Sequence, residues 1–128
     1  MIKKLDRIIK LAKETSEMSD HHSHKLGAVI FDKRGRIFSI GHNWLFKTHP
    51  EFNRINHLKT LHAEASAVLA VRHKHNFSNL NIFVYRENKQ GKMENARPCQ
   101  DCVKLLKNYN LKWMYYTINN NIVKERIE

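Results

Sequence analysis

Cysteine is almost missing from this chain. There are two among 128 residues, Cys99 and Cys102, and they share one short segment. A pair that close cannot tie distant parts of a fold together, so a disulfide framework of the secreted kind is not indicated. Proline (two) and glycine (four) are equally sparse, which argues against a linker-rich or repetitive chain. No apolar run reaches the ~18 residues of a membrane span, and Met1-Ile2-Lys3-Lys4-Leu5-Asp6 has no apolar signal core. We therefore expect a soluble, cytoplasmic protein with no membrane partner. Acidic residues are also short: 12 Asp and Glu against 23 Lys and Arg give a net charge of +11. An imbalance of that size favours a polyanionic partner, held through phosphate contacts and counterion release.

What is present reads as one ordered domain over residues 1–128, with 41% hydrophobic residues and enough length to bury a core. Ile2, Leu5, Ile8, Ile9 and Ala12 fall at helical spacing, and Lys3, Lys4, Arg7, Lys10 and Lys13 take the other faces. That pattern predicts an amphipathic helix packed on a sheet. Residues 19–25 are polar and hold His21, His22 and His24, whose neighbouring side chains point different ways; the segment reads as a solvated loop. Residues 26–31 and 36–40 read as two strands joined by the turn residues Asp32-Lys33-Arg34-Gly35. Gly41-His42-Asn43 ends the second strand, where Asn43 can close an Asx turn.

Over 44–61, Trp44, Phe46 and Phe52 interleave with Lys47, His49, Arg54 and Lys59. Such alternation suits base stacking with phosphate contact on a single strand; a loop folded back to plug the core would use the same aromatics. Residues 62–71 are small and apolar all round, which marks a buried helix, and 80–85 form a nearly continuous apolar strand for a doubly covered position. Pro98 is placed to open a helix that Cys102, Leu105, Leu106 and Tyr109 continue. Residues 112–118 make the next strand, and only Asn119-Asn120-Asn121 separates it from Ile122-Val123. A gap that short holds no crossover, so the last two strands should be antiparallel.

Two segments carry chemistry, His62-Ala63-Glu64 and Pro98-Cys99-Gln100-Asp101-Cys102. One imidazole and two thiolates make three ligands of a tetrahedral zinc site whose fourth position is left for water. Cys99 and Cys102, a helical turn apart, project from one face, and a helix N-terminus favours the thiolate. Glu64, two residues past the histidine, is suited to moving protons rather than holding metal. A redox Cys-x-x-Cys pair would leave His62 and Glu64 unexplained. A purely structural zinc would want a fourth protein ligand.

In this order the two segments match H-x-E and P-C-x-x-C, and the chain resembles the zinc-dependent nucleobase deaminases of the cytidine deaminase superfamily. The resemblance implies an α/β fold, the three-layer α-β-α cytidine deaminase-like arrangement around a mixed five-stranded sheet with the last two strands antiparallel. It implies zinc on His62, Cys99 and Cys102, and Glu64 as the catalytic proton carrier. It also implies substrate contacts at Asn43, at backbone groups near Ala63 and Arg97, and at the His24 loop leading into the cleft, while the aromatic–cation stretch adds Trp44 as a stacking contact. The reaction expected is hydrolytic deamination of cytosine to uracil. The basic charge and the aromatic–cation stretch favour single-stranded nucleic acid as substrate, DNA ahead of RNA. The alternatives are free cytidine, deoxycytidine or (d)CMP, and, from another class, a non-catalytic nucleic-acid-binding module with structural zinc. Within the superfamily, free-cytidine deaminases and several DNA-acting ones end in an antiparallel pair. The dCMP deaminases resemble the parallel-ended group, so the expected hairpin counts against them.

Overall fold

A computed structural model describes residues 2–19, 25–43, 62–71, 79–88 and 90–127. Among them are α1 (Ile2–Ser16), β1 (Leu26–Asp32), β2 (Ile37–His42), α2 (Ala63–Val71), β3 (Leu80–Arg86), α3 (Gln100–Asn108), β4 (Trp113–Ile118) and β5 (Asn121–Arg126). Side chains alternate across a strand, and the alternation divides the core in two. Val29 and Phe31 of β1 and Phe83 and Tyr85 of β3 face Ile8 and Ala12 of α1. Ala28, Ile30, Ile82 and Val84 point the other way, onto Ala63, Ala67 and Val68 of α2 and Leu106 of α3. The result is the expected three-layer sandwich, with β1 and β3 apolar on both faces because both faces are covered.

The strands lie in the order β2-β1-β3-β4-β5. β1 is antiparallel to β2 and β3, β3 is parallel to β4, and β4 is antiparallel to β5. β2 and β3 therefore run in the same direction on either side of β1. The chain passes from β2 to β3 through α2, and from β3 to β4 through α3. Both helices cover the same face of the sheet.

The last hairpin closes through two residues, since Ile118 pairs with Asn121. Asn119 and Asn120 take φ of 48° and 63°, the left-handed pair that a tight hairpin turn demands and that asparagine tolerates. β5 is longer than its apolar Ile122-Val123 pair, running on through Lys124, Glu125 and Arg126. Backbone pairing with β4 extends it where the side chains are polar. At the other hairpin Asp32 organises the turn: its Oδ1 accepts from the Arg34 and Arg36 backbone N–H groups, both at 2.9 Å, and its Oδ2 from Arg36 Nε at 2.7 Å. Gly35 supplies the φ of 83° between them.

Gly41 has a different task. A Cβ there would fall within 3 Å of backbone atoms of Ala63 and Ala67, so β2 and α2 touch main chain to main chain. The buried Ser39 Oγ donates to the Ala67 carbonyl at 2.7 Å just beyond. Together they seat the first turn of α2 on the sheet. Gly41→Ala is expected to lower unfolding free energy by roughly 1–3 kcal/mol, the ordinary cost of overpacking, as measured by denaturant titration. A neutral result would mean that α2 does not sit where Gly41 puts it.

Candidate active site and metal centre

Two helix N-termini meet at one end of the sheet. His62 stands immediately before α2, and its carbonyl accepts from Ser66 N–H at 2.9 Å. Cys99 caps α3 in an extended conformation, φ −66° and ψ 166°, and its carbonyl accepts from Val103 N–H at 2.9 Å. Cys102 follows in the first turn. Ala65 and Leu69 of α2 pack against Cys102 and Leu105 of α3, locking the helices side by side. His62 Nδ1 lies 3.5 Å from Cys99 Sγ and 3.3 Å from Cys102 Sγ. The three donor atoms all fall within 4.8 Å of one another.

The electrostatics match the geometry. The Cys99 thiol is lowered to about 4 by the hydrogen bond from Cys102, with burial opposing and His62 assisting. Cys102 goes the other way, raised by its role as donor to Cys99 and by burial. His62 is raised by its hydrogen bond to Cys99, again against burial. Without metal, these shifts favour an ionised Cys99 beside a protonated Cys102, and they move His62 toward its charged form. The positive ends of two helices favour the sulfur anions.

Glu64 is 3% exposed, and its Oε1 has no hydrogen-bond partner. Burial raises its pKa, with the His62 charge and the Cys102 contact pulling against that rise. An orphaned buried carboxylate oxygen costs about 1–3 kcal/mol and contributes nothing to packing. It is the kind of atom a bound water or substrate satisfies. One imidazole and two thiols are a zinc donor set. Among the described residues they form a cluster of three, one short of a closed structural site. The residues present fit zinc with one position open.

The remaining expected contacts fall as follows. Ala63 is buried as the first residue of α2, between His62 and Glu64. Asn43 leaves β2 beside that turn; its Oδ1 accepts from Leu26 N–H at 2.9 Å and its carbonyl accepts from Ser19 Oγ at 2.9 Å. Part of its hydrogen-bonding capacity therefore ties β2 to β1. The Arg97 guanidinium turns to β5, donating to Glu125 from Nη2 at 2.8 Å and from Nε at 3.0 Å, while Tyr116 hydroxyl donates to the same carboxylate at 2.9 Å. Arg97 backbone N–H donates to Asn95 Oδ1 at 2.9 Å. Trp44 and His24 lie outside the described residues.

Thr117 was not singled out by its sequence context. It is fully buried, accepts from Arg86 N–H at 3.2 Å and donates to the Glu94 carbonyl at 2.8 Å. Next to it, Ala96 N–H donates to the Thr117 carbonyl at 2.8 Å. These bonds pin the 94–97 segment to the sheet and so set where Cys99 begins α3. A lone threonine late in an apolar strand was the available signal.

Comparison with known proteins agrees with this geometry. Residues 2–118 match the family described as the cytidine and deoxycytidylate deaminase zinc-binding region. A Caenorhabditis elegans protein described as a probable deoxycytidylate deaminase is 28% identical over 132 aligned positions, covering 94% of this chain. The chain spans about 60% of that relative's length. A cyanophage S-TIM5 dCMP deaminase superposes with a TM-score of 0.63 at 22% identity, over 91% of this chain and 83% of that one. Its structure with dCMP and dUMP gives the same TM-score at 20% identity over 91% and 82%. A Mycobacterium leprae cytidine deaminase gives 0.58 at 19% identity, over 94% and 92%. The β4–β5 pair is antiparallel as expected, and the family match ends at residue 118, before β5 begins. None of these relatives is described as acting on a polynucleotide.

Because metal ligation needs neutral imidazole and thiolate, zinc uptake must strip the proton from the raised Cys102 thiol, while Cys99 is already ionised. Zinc binding near neutral pH should release about one proton or more, and affinity should rise with pH. Calorimetry in buffers of different ionisation enthalpy measures the count; zinc uptake with no proton release would contradict the arrangement.

Proposed function

Because the chain belongs to the cytidine and deoxycytidylate deaminase zinc-binding family, we propose that it is a hydrolytic deaminase converting the cytosine of a free nucleotide, dCMP, to uracil with release of ammonia. The observation that carries the reading is the convergence of His62, Cys99 and Cys102 beside a buried, unpartnered Glu64 oxygen. His62, Cys99 and Cys102 would hold zinc, which would supply the Lewis acidity that makes a water nucleophilic near neutral pH. Glu64 would accept one proton of the attacking water as the C–O bond forms and deliver it to the ring nitrogen beside the attacked carbon, then carry the remaining hydroxyl proton to the amine as the C–N bond breaks and ammonia leaves. A carboxyl whose pKa burial has raised is matched to such two-way transfer. Asn43, at the end of β2, and backbone groups around Ala63 and Arg97 orient the base and sugar in this reading.

The nucleotide is preferred over a polynucleotide on the curated relative's description. The net charge of +11 serves a phosphate monoester as well as a strand. The basic charge and the aromatic–cation stretch had favoured single-stranded DNA, which none of the relatives described above supports. A non-catalytic module with structural zinc has no use for an unsatisfied carboxylate beside its metal.

Two measurements test this. Incubating the zinc-loaded protein with dCMP, deoxycytidine, cytidine and a cytosine-containing oligonucleotide should yield uracil product fastest from dCMP; product from the oligonucleotide alone would overturn the substrate reading. Glu64→Gln should cut turnover by about 10²–10⁴-fold while retaining zinc and leaving the thermal midpoint unchanged or higher. Undiminished turnover in that variant would remove Glu64 from the chemistry.

A further inference from the structure

The opposite end of the sheet carries a second concavity. A cavity of about 820 Å³ opens on the α1 face, bounded by Leu5 and Ile8 of α1, the β1–β2 turn and the first residues of β3 and β4. That volume falls within the ~300–1,000 Å³ of ordinary ligand sites. It lies away from the metal cluster, which sits where β2 and β3 end rather than where β3 and β4 begin. α1 packs over β1 and β3, leaving Trp113, Tyr115 and Lys124 to wall the cavity on the β4–β5 side.

Three features of this cavity specify an occupant. Asn81 lines it from the middle of an otherwise apolar strand, paired across the sheet with Phe31 on one side and Trp113 on the other. It is 7% exposed, and its Oδ1 has no hydrogen-bond partner. A buried amide set between two aromatic residues is a polar reader waiting for a complementary edge. The lining is also strongly cationic: Lys33, Arg34, Arg36, Lys112 and Lys124 surround a single carboxylate, Asp32. That carboxylate is already engaged by the Arg36 side chain at 2.7 Å. Finally, the Lys124 ammonium is held 4.3 Å over the Trp113 ring and 5.6 Å from the Tyr115 ring, so a cation and two aromatic surfaces face the same space.

We propose that this cavity is a second, non-catalytic binding site for a nucleoside phosphate, in which Asn81 reads an N–H-bearing base edge among Phe31, Trp113 and Tyr115 while Lys33, Arg34 and Lys112 take the phosphate. An amide offers both donor and acceptor to a heterocycle edge, aromatic walls pack a planar ring, and clustered cations bind phosphate. An apolar ligand would leave the amide and the charges unanswered. Inorganic phosphate would leave the aromatic walls empty. The site is independent of what the metal centre deaminates.

The test is calorimetric titration of the full-length, zinc-loaded protein with dAMP, deoxyadenosine and inorganic phosphate. dAMP should bind saturably, with deoxyadenosine and phosphate each weaker by about tenfold or more. The pair Lys112→Glu/Lys124→Glu should weaken dAMP by at least about tenfold. Asn81→Leu should weaken it comparably while leaving the thermal midpoint unchanged or raised, because the orphaned amide is gone; a merely structural asparagine would lower the midpoint on removal. A short single-stranded oligodeoxyadenylate binding more tightly than dAMP, with the same variant losses, would keep the site and name a strand as the source of the nucleotide. Absence of saturable dAMP binding up to about 1 mM, or binding indifferent to these substitutions, would overturn the proposal.

Discussion

The direction of one strand pair governs this molecule. β3 and β4 are parallel, and parallel neighbours cannot be joined by a tight turn. The chain must leave the sheet after β3, travel back along its face and re-enter, and α3 is the return path. The β2–β3 connection obeys the same rule around β1, with α2 as its return path. Two crossovers on one face start two helices at the same end of the sheet, beyond the carboxyl ends of β2 and β3. Open α/β sheets bind their ligands at that end, and here the coincidence brings His62 and Cys99, remote in the chain, to 3.5 Å.

Local contacts then sharpen what topology makes possible. Gly41 lets α2 approach β2 closely enough to fix its first turn, and Thr117 anchors the segment that leads into α3. Once the helix ends are set, their positive poles and the neighbouring imidazole favour sulfur anions, and Cys99 is held ionised. The same packing strips water from Glu64, which raises its pKa. The metal-binding cluster and the raised carboxyl beside it are therefore two consequences of one arrangement. Stability is given up at Glu64, whose unpartnered oxygen is a cost to the fold and, in the proposed reaction, an asset to the chemistry.

Much of this was legible in the sequence because the informative signals were local. Helical spacing marked α1, a continuous apolar run marked β3 as doubly covered, and a gap of three asparagines required the antiparallel β4–β5 pair. The ligand set was legible because soft donors at fixed spacing have few other uses. β5 was underestimated because Lys124, Glu125 and Arg126 are paired through backbone on an edge strand, where side-chain pattern says little. Gly41 and Thr117 escaped notice because their importance lies in contacts with residues far away in the chain. The net charge says little about the substrate for a related reason. It sums the whole surface, and several of its contributors, Lys33, Arg34, Lys112 and Lys124 among them, gather at the end of the sheet away from the metal cluster.

The central claim is that an imidazole from one crossover and two sulfurs from the other share a single metal ion. Zinc-edge X-ray absorption on the purified, zinc-loaded protein tests it most directly. Two sulfur ligands at about 2.3 Å, one imidazole nitrogen at about 2.0–2.1 Å and one further light ligand are expected. A zinc environment without sulfur, or one closed by four protein ligands, would contradict it.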